Sequence, residues 1–234
     1  TEYKNEKLNS EAHTALGYFA KLGLYKEDVM NKNFYSLTPK FLLRHAPGHM
    51  RNIEGGRLNY GNLFNLNKVN QFDIIEPGLS TSVGFEYSKS KLNDANIIGD
   101  EIFSFSAGQV ISAKENMDIP SKTSLDQHFS DVVGEARYNI NNKLDLKYNF
   151  SIDQGYKNFN YNEVGTDLTF DKAKFNLSYL QEKNHIGNQE YVQTGFDFKL
   201  NNSSELSFNT KRNLLSSSAE FYNLSYNYIN DCLK

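Results

Sequence analysis

At 234 residues and a formal net charge of −3, the chain is long enough for one large domain or two ordinary ones, and it has no broad basic field to hold a nucleic acid. Its mean hydropathy is −0.63 and no apolar run approaches the ~18 residues of a membrane helix, which excludes helical spans. Membrane barrels stay open, because their alternating strands average out as hydrophilic.

Taken in order, residues 1–10 are polar and read as a loop. Residues 11–25 carry Ala12, Ala15, Leu16, Tyr18, Phe19, Leu22 and Leu24; Gly17 and Gly23 would weaken a helix, so the stretch reads as a strand. A polar link over 27–33 leads to a second strand over 34–45, with Pro39 inside it and one ladder donor missing. Ala46-Pro47-Gly48-His49 is turn chemistry that continues as a loop to Gly56. Residues 57–69 are rich in asparagine and alternate only in part. Residues 78–87 form a strand with Leu79, Thr81, Val83, Phe85 and Tyr87 on one face. A link through Asn93-Asp94 leads to a strand over 101–111, where Phe103, Phe105, Ala107 and Gln109 share a face. Residues 114–129, the most polar stretch, read as an exposed loop.

From Glu135 onward the alternation is strict. Tyr138 and Ile140 lead into Asn141-Asn142-Lys143, and Leu144, Leu146, Tyr148, Phe150 and Ile152 lead out, with Asp145, Lys147, Asn149 and Ser151 between them. This is an antiparallel hairpin with one apolar and one polar face. The unit recurs around Asp171-Lys172-Ala173, around Asn201 to Ser204, and again at Leu224, Tyr226 and Tyr228 before Asn230-Asp231. The short turns fall roughly every 30 residues, the spacing of a barrel meander. Longer polar links, such as 153–162 and 181–189, fall between them, so short turns gather at one end and long loops at the other. The expected fold is all-β: an antiparallel meander of about 12 strands, with no helix and no internal domain boundary, forming part of a large transmembrane β-barrel. Nine tyrosines near strand ends (138, 148, 156, 161, 179, 191, 222, 226 and 228) are expected at a membrane interface as an aromatic girdle.

Chemistry is sparse. The five histidines are scattered, and Pro47-Gly48 separates the one close pair, His45 and His49, so no metal site is read. No phosphate loop or nucleophile elbow is present; Glu86, Asp145, Asp167 and Asp197 alternate with apolar residues as the wetted face of a sheet. No catalytic residue, cofactor or metal is expected, and the chain does not read as an enzyme. The single cysteine, Cys232, is a free thiol or half of a bridge to something outside this chain.

Two stretches carry a family resemblance. Leu37-Thr38-Pro39-Lys40 with Pro47-Gly48-His49-Met50, then the run from Arg57 through Asn62-Leu63-Phe64-Asn65-Leu66-Asn67-Lys68, resembles the middle of the barrel of the LptD (organic solvent tolerance) family, with Lys68 where an Arg is more usual. The end, Leu224 to Lys234, is similar to that family's late strand-turn-strand, in which a cysteine follows the turn. The resemblance implies that residues 1–234 are the C-terminal part of an outer-membrane barrel that inserts lipopolysaccharide (LPS) into the outer leaflet of a Gram-negative envelope. The first strands, the last strands and a periplasmic jelly-roll domain are then expected outside this chain. The implied partners are LPS, an LptE-like plug lipoprotein, a periplasmic LptA-like bridge reached through the upstream domain, and the barrel-assembly machinery. Cys232 matches a family cysteine that bridges to the periplasmic domain; Leu233 follows it, so one bridge at most is implied.

On this reading the barrel is a passive conduit with a polar interior. Asp145, Lys147, Asn149, Ser151, Asn176, Ser178, Glu205, Ser207 and Asn209 are expected to line the lumen and meet the plug or the sugar. Another outer-membrane barrel, porin-like or an adhesin translocator, is the alternative. A secreted soluble β-sandwich acting as a binding module is the third.

Overall fold

The structure is a computed structural model that describes residues 14–48, 56–69, 75–140, 143–201 and 203–228. Twelve strands form one antiparallel sheet: β1 (Leu16–Lys21), β2 (Leu24–Asp28), β3 (Asn33–Ala46), β4 (Gly78–Leu92), β5 (Ile98–Ser112), β6 (Val132–Ile140), β7 (Leu144–Ile152), β8 (Phe159–Thr169), β9 (Ala173–Glu182), β10 (Gln189–Asn201), β11 (Ser204–Asn213) and β12 (Ser218–Tyr228). From β3 to β12 each strand pairs with its sequence neighbours, so the fold is the expected all-β meander of 12 strands, and a two-sheet sandwich is excluded. The free edges of β12 and of β1 and β2 are not paired with each other.

The single strand expected over residues 11–25 is two, and Pro39 is the reason. β1 pairs with the second half of β3, ending at Lys21 opposite Lys40; β2 pairs with the first half, starting at Leu24 opposite Leu37. The Pro39 carbonyl points into the gap and accepts from the Leu22 N–H at 3.1 Å. The N–H that proline lacks would point the same way, so the ladder cannot run through this position.

Register places the apolar residues of successive strands on one face. Phe41 faces Val83, Tyr87 faces Phe105, Tyr138 faces Leu146, Leu168 faces Phe175, Phe196 faces Phe208 and Phe208 faces Leu224. This apolar face is the open one: Leu43 is 41% exposed, whereas Leu42 and Arg44 beside it, pointing the other way, are 2% and 1% exposed. The sheet is therefore inside out relative to one that packs its greasy face inward.

The inner face is occupied at one end. The residues expected as a polar, partly alternating stretch and as an exposed loop both fold onto it. Residues 56–69 cross the inner face around a 3-10 turn at Tyr60–Asn62, closed by a reciprocal capping box in which the Asn62 N–H donates to Asn59 Oδ1 (3.0 Å) and the Asn59 N–H to Asn62 Oδ1 (2.8 Å). The β5–β6 connection is not an exposed loop: Ile119, Thr123, Ser124 and Leu125 are buried, around a second 3-10 turn at Ser121–Thr123. Leu58, Tyr60, Leu63 and Val69 from the first segment join Ile119 and Leu125 from the second over Val110 of β5 and Val133 of β6. This cluster is the hydrophobic core among the described residues.

The crossing is wide. Arg57 reaches Glu182 of β9, while Leu66, at the other end, lies beside Gly17 of β1 and Phe64 meets the ring of Phe19 at 5.9 Å. On a flat sheet β1 and β9 would be about 34 Å apart, from seven spacings of ~4.8 Å. Residues 57–66 span at most about 32 Å even when fully extended, and the 3-10 turn makes them shorter. The sheet must curl around the segment.

Two glycines let the crossing segment approach. Gly84 and Gly108 face each other on the inner side of β4 and β5. A Cβ at Gly108 would lie 2.6 Å from the Val83 carbonyl oxygen and 3.0 Å from Gly84 Cα, and would strike the Leu63 side chain. Gly108→Val is expected to cost about 1–3 kcal/mol by overpacking and to lift residues 58–64 off the sheet. Thermal melting together with protease protection of that segment tests it; an unchanged melt with unchanged protection refutes the close-approach role.

Candidate functional site

All nine residues expected to line a lumen lie on the inner, polar face. Asp145 is opposite Asp167, which is opposite Asn176; Asn176 is opposite Gly195, and Gly195 is opposite Asn209. Lys147 and Ser178 share the next row through Gly165, and Asp197 places Ser207 in another. Asn149 and Ser151 continue β7 on this face, and Glu205 continues β11, each two residues along from the last. Two rows set like charges directly opposite: Arg137 faces Lys147, and Asp145 faces Asp167. That arrangement repels, and the side chains resolve it on the diagonal. Arg137 donates two hydrogen bonds to Asp145 (3.0 and 2.6 Å), and Lys147 bridges Asp145 (3.6 Å) and Asp167 (3.2 Å). The four charges cancel, leaving a neutral, hydrated lattice. Asn149 donates to Glu163 at 2.9 Å.

Ser151 is different. It is 2% exposed and donates to Asp131 Oδ2 at 2.7 Å, so the β5–β6 connection covers it. Two of the nine tyrosines also depart from a girdle: Tyr161 lies on the polar face, buried beneath the Arg57 guanidinium at 3.7 Å, and Tyr191 lies there under Lys211 Nζ at 3.9 Å. Cys232 lies outside the described residues, as do His13 and His49.

Three ionic anchors that sequence reasoning did not single out hold the inner segments. At one end of the crossing segment, Arg57 pairs with Glu182 (3.1 Å) and stacks on Tyr161. In the middle, Lys40 pairs with Glu86 and lies 5.8 and 5.6 Å from the ring centres of Tyr60 and Phe64. At the far end, Arg44 donates from Nε to the Leu66 carbonyl and from Nη2 to the Glu76 carbonyl, both at 2.5 Å. The Glu76 carboxylate accepts from the backbone N–H of Lys68 (3.0 Å). Burial pushes the Lys68 amine down to about 8, against the pull of Glu76. The Asn59-x-x-Asn62 spacing was the one local signal for this structure; the ion pairs join residues up to 125 positions apart and leave no such trace.

Asp131 pins the second segment. Its Oδ2 accepts from Ser151 of β7, from Asn160 Nδ2 of β8 (2.9 Å) and lies 3.1 Å from His185 Nε2 in the β9–β10 loop. The hydrogen bond to Asp131 holds the His185 imidazole above its usual range, against partial burial. A raised value means the proton is bound more tightly in the docked loop. The docking contribution is therefore complete below about pH 6.5, the free value, and is lost as pH climbs through the raised one. Hydrogen exchange at Lys183, whose N–H donates to the Asn160 carbonyl at 2.8 Å, should quicken over that window beyond the intrinsic rate. Asp131→Asn should abolish the extra pH dependence; if the variant keeps it, another group controls the loop.

The connections 47–77, 113–131, 153–158, 183–188 and 214–217 lie at one end of the sheet and the links 29–32, 93–97, 141–143, 170–172 and 202–203 at the other; all of the first set but 214–217 are longer than any of the second. The sheet thus has an apolar face outward, a polar lattice inward and two unequal ends. Among solved structures the chain is similar to a KdgM porin (11% identity, TM-score 0.30, covering 93% of this chain and 99% of that one). It is also similar to a triple mutant of the Rhodopseudomonas blastica porin (6% identity, TM-score 0.36, covering 92% and 90%). These likenesses are too loose to carry weight. No curated protein matches the chain. Residues 56–226, however, match the family LptD, LPS transport system D, over well more than half of the sequence: the chain belongs to the LptD family.

Proposed function

We propose that the chain forms part of the wall of an outer-membrane β-barrel that delivers LPS to the outer leaflet, as the alternating sequence and the family resemblance together imply. The observation that carries this is the inverted sheet. Its apolar face is continuous from β3 to β12 and faces out, which is unfavourable in water and favourable against acyl chains. Strands β6 to β12 run 9 to 13 residues, long enough for the roughly 9–11 that a tilted strand needs to cross a bilayer. Further strands would pair with the free edges to close the wall, since open edges invite aggregation.

In bacterial barrels the short turns are periplasmic and the long loops face outward. That orientation sets the two inner segments at the outer end of the lumen, where they narrow it. It sets the end of β12, the last described element before Cys232, on the periplasmic side, which agrees with a bridge from Cys232 to a periplasmic domain. The neutral lattice of Arg137, Asp145, Lys147 and Asp167 offers hydrogen bonds to a sugar headgroup or to an LptE-like plug without trapping either by net charge. Transport down such a surface needs no covalent step; the energy comes from the rest of the transport system, through a periplasmic LptA-like bridge, and the wall itself is inserted by the barrel-assembly machinery.

Leu177 and its neighbour Ser178 separate the two faces. Leu177→Arg should destabilise folding into lipid by roughly 2–4 kcal/mol if it lies near the bilayer midplane, whereas Ser178→Arg should be nearly silent. Refolding titrations into vesicles measure both, and equal effects would refute the facing assignment. For the activity itself, depletion of the protein in cells should strand newly made LPS short of the surface. A steady open-channel conductance in planar bilayers together with normal LPS surface display on depletion would favour the porin-like alternative.

A further inference from the structure

The outer face changes character at the short-turn end of β2, β3 and β4. Register sets its residues in rows across the strands. Leu24, Leu37, Tyr87 and Phe105 form one outward row. The next row toward the turns is Lys26, Tyr35 and Lys89, and the one beyond it is Asp28, Asn33 and Lys91. Lysines thus flank Tyr35 on both sides, and Lys89 Nζ lies 5.7 Å from the centre of its ring. Adjacent strands are about 4.8 Å apart, which puts the Lys26 and Lys89 backbones about 10 Å from each other. A flexible stem lets each amine reach a single group held over the ring between them. At the loop end of the same strands the outward rows, Leu43–Thr81–Ile111 and His45–Leu79, hold no lysine or arginine.

The three amines are open to a ligand. Lys26 and Lys91 are exposed, Lys89 is half-buried, and none of them makes a hydrogen bond or an ion pair to a described residue. The carboxylates on this side are Asp28 and Asp100, the latter next to Glu101, which points inward beside Glu86. Asp28 accepts from the Asn31 backbone N–H (3.1 Å) and side-chain amide (2.9 Å). Both aspartates lie beyond the Lys26–Lys89 row, toward the turns. Lys32 and Asp94 in the adjoining turns pair with each other at 2.5 Å. Three lysines against two aspartates leave the patch positive, and the lysines stand nearest the apolar row. From the strand centres toward the turns, the face therefore presents apolar side chains, then cations around a tyrosine, then a mixed polar row. A phospholipid presents acyl chain, phosphate and headgroup in the same order, and tyrosine rings and lysine amines are favoured at that depth. We propose that the patch seats a glycerophospholipid of the periplasmic leaflet, its acyl chains along Leu24, Leu37 and Phe105 and its phosphate between Lys26 and Lys89. The inference rests on the barrel-wall reading, which puts this face in lipid and the short turns in the periplasm. It adds a lipid held at one place on that wall.

The test takes the delipidated full-length protein in detergent and adds dioleoyl phosphatidylglycerol or dioleoylglycerol, which carries the same chains without the phosphate. Native mass spectrometry counts the lipid retained. Saturable retention of the phospholipid, and not of the diacylglycerol, is expected. Lys26→Gln combined with Lys89→Gln should weaken it about tenfold, whereas Lys26→Arg combined with Lys89→Arg should keep it. Lys172→Gln, which removes a lysine from the β8–β9 turn at the same end of the sheet, should leave it unchanged. None of these side chains is buried, so the variants should melt close to the wild type. Equal retention of the two lipids overturns the site, as does equal weakening by Lys172→Gln. Insertion into phospholipid vesicles separates this inference from the wider one. A wild type that enters vesicles yet retains no phospholipid in detergent loses the lipid site alone. One that enters no vesicle loses the barrel-wall reading and the site with it.

Discussion

The rest of the structure depends on the solvent preference of the sheet's two faces. A curled antiparallel sheet with Leu43, Val83, Leu177, Phe196 and Phe208 turned outward has no stable state in water as a lone layer, because the apolar face would stay hydrated. In a bilayer the same face is covered by acyl chains, and every backbone donor and acceptor of an inner strand is met by its neighbours. The hydrophobic effect then acts through the lipid instead of through a central core. This explains why the apolar cluster of Leu58, Leu63, Val110 and Leu125 is small and confined to one end. It fastens inner segments to the wall and does not hold the sheet together.

With the core relieved of that task, the inner face is free to be polar, and polar contacts set its shape. The Arg137–Asp145–Lys147–Asp167 lattice spreads opposed like charges onto diagonals. Exposed pairs of this kind contribute little to stability, of the order of 0–1 kcal/mol each; their effect is a hydrated surface with no net field. The anchors of the inner segments are of another kind. Arg57 on Tyr161 and Glu182, Arg44 on Leu66 and Glu76, and Asp131 among Ser151, Asn160 and His185 each fasten a connection that lacks regular structure. Where such a contact is buried, as for Arg44 and Asp131, breaking one partner costs far more than the contact contributes, so these positions determine where the crossing segment and the β5–β6 connection lie on the inner face.

The wall was legible because strand alternation is local. Period 2 from Leu144 to Ile152, repeated at each short turn, is enough to assign strand, hairpin and the polar or apolar identity of each face. Pro39 was legible as a lost donor, yet its consequence, the break of β1 from β2, depends on which neighbour its backbone faces. The two connections were read as loops because their composition is polar and their apolar residues have no period. Leu58, Leu63, Ile119 and Leu125 become a cluster only when two stretches far apart in sequence meet on the same patch of β5 and β6. Ser151 shows the same limit: its place on the polar face followed from alternation, but its cover by Asp131 did not.

By itself the amino-acid sequence determined the strand meander, the side of the sheet each strand residue takes, the asymmetry of the two ends and the likeness to the LptD family, all properties carried by near neighbours or by motif order. The tertiary structure alone decided that the sheet curls, that its inner face is partly filled, and that Arg44, Lys68 and Glu76 are buried together. The reason is range. Alternation and turn chemistry act over a few residues, whereas curvature and buried charge pairing arise from contacts between segments that only the folded chain brings together.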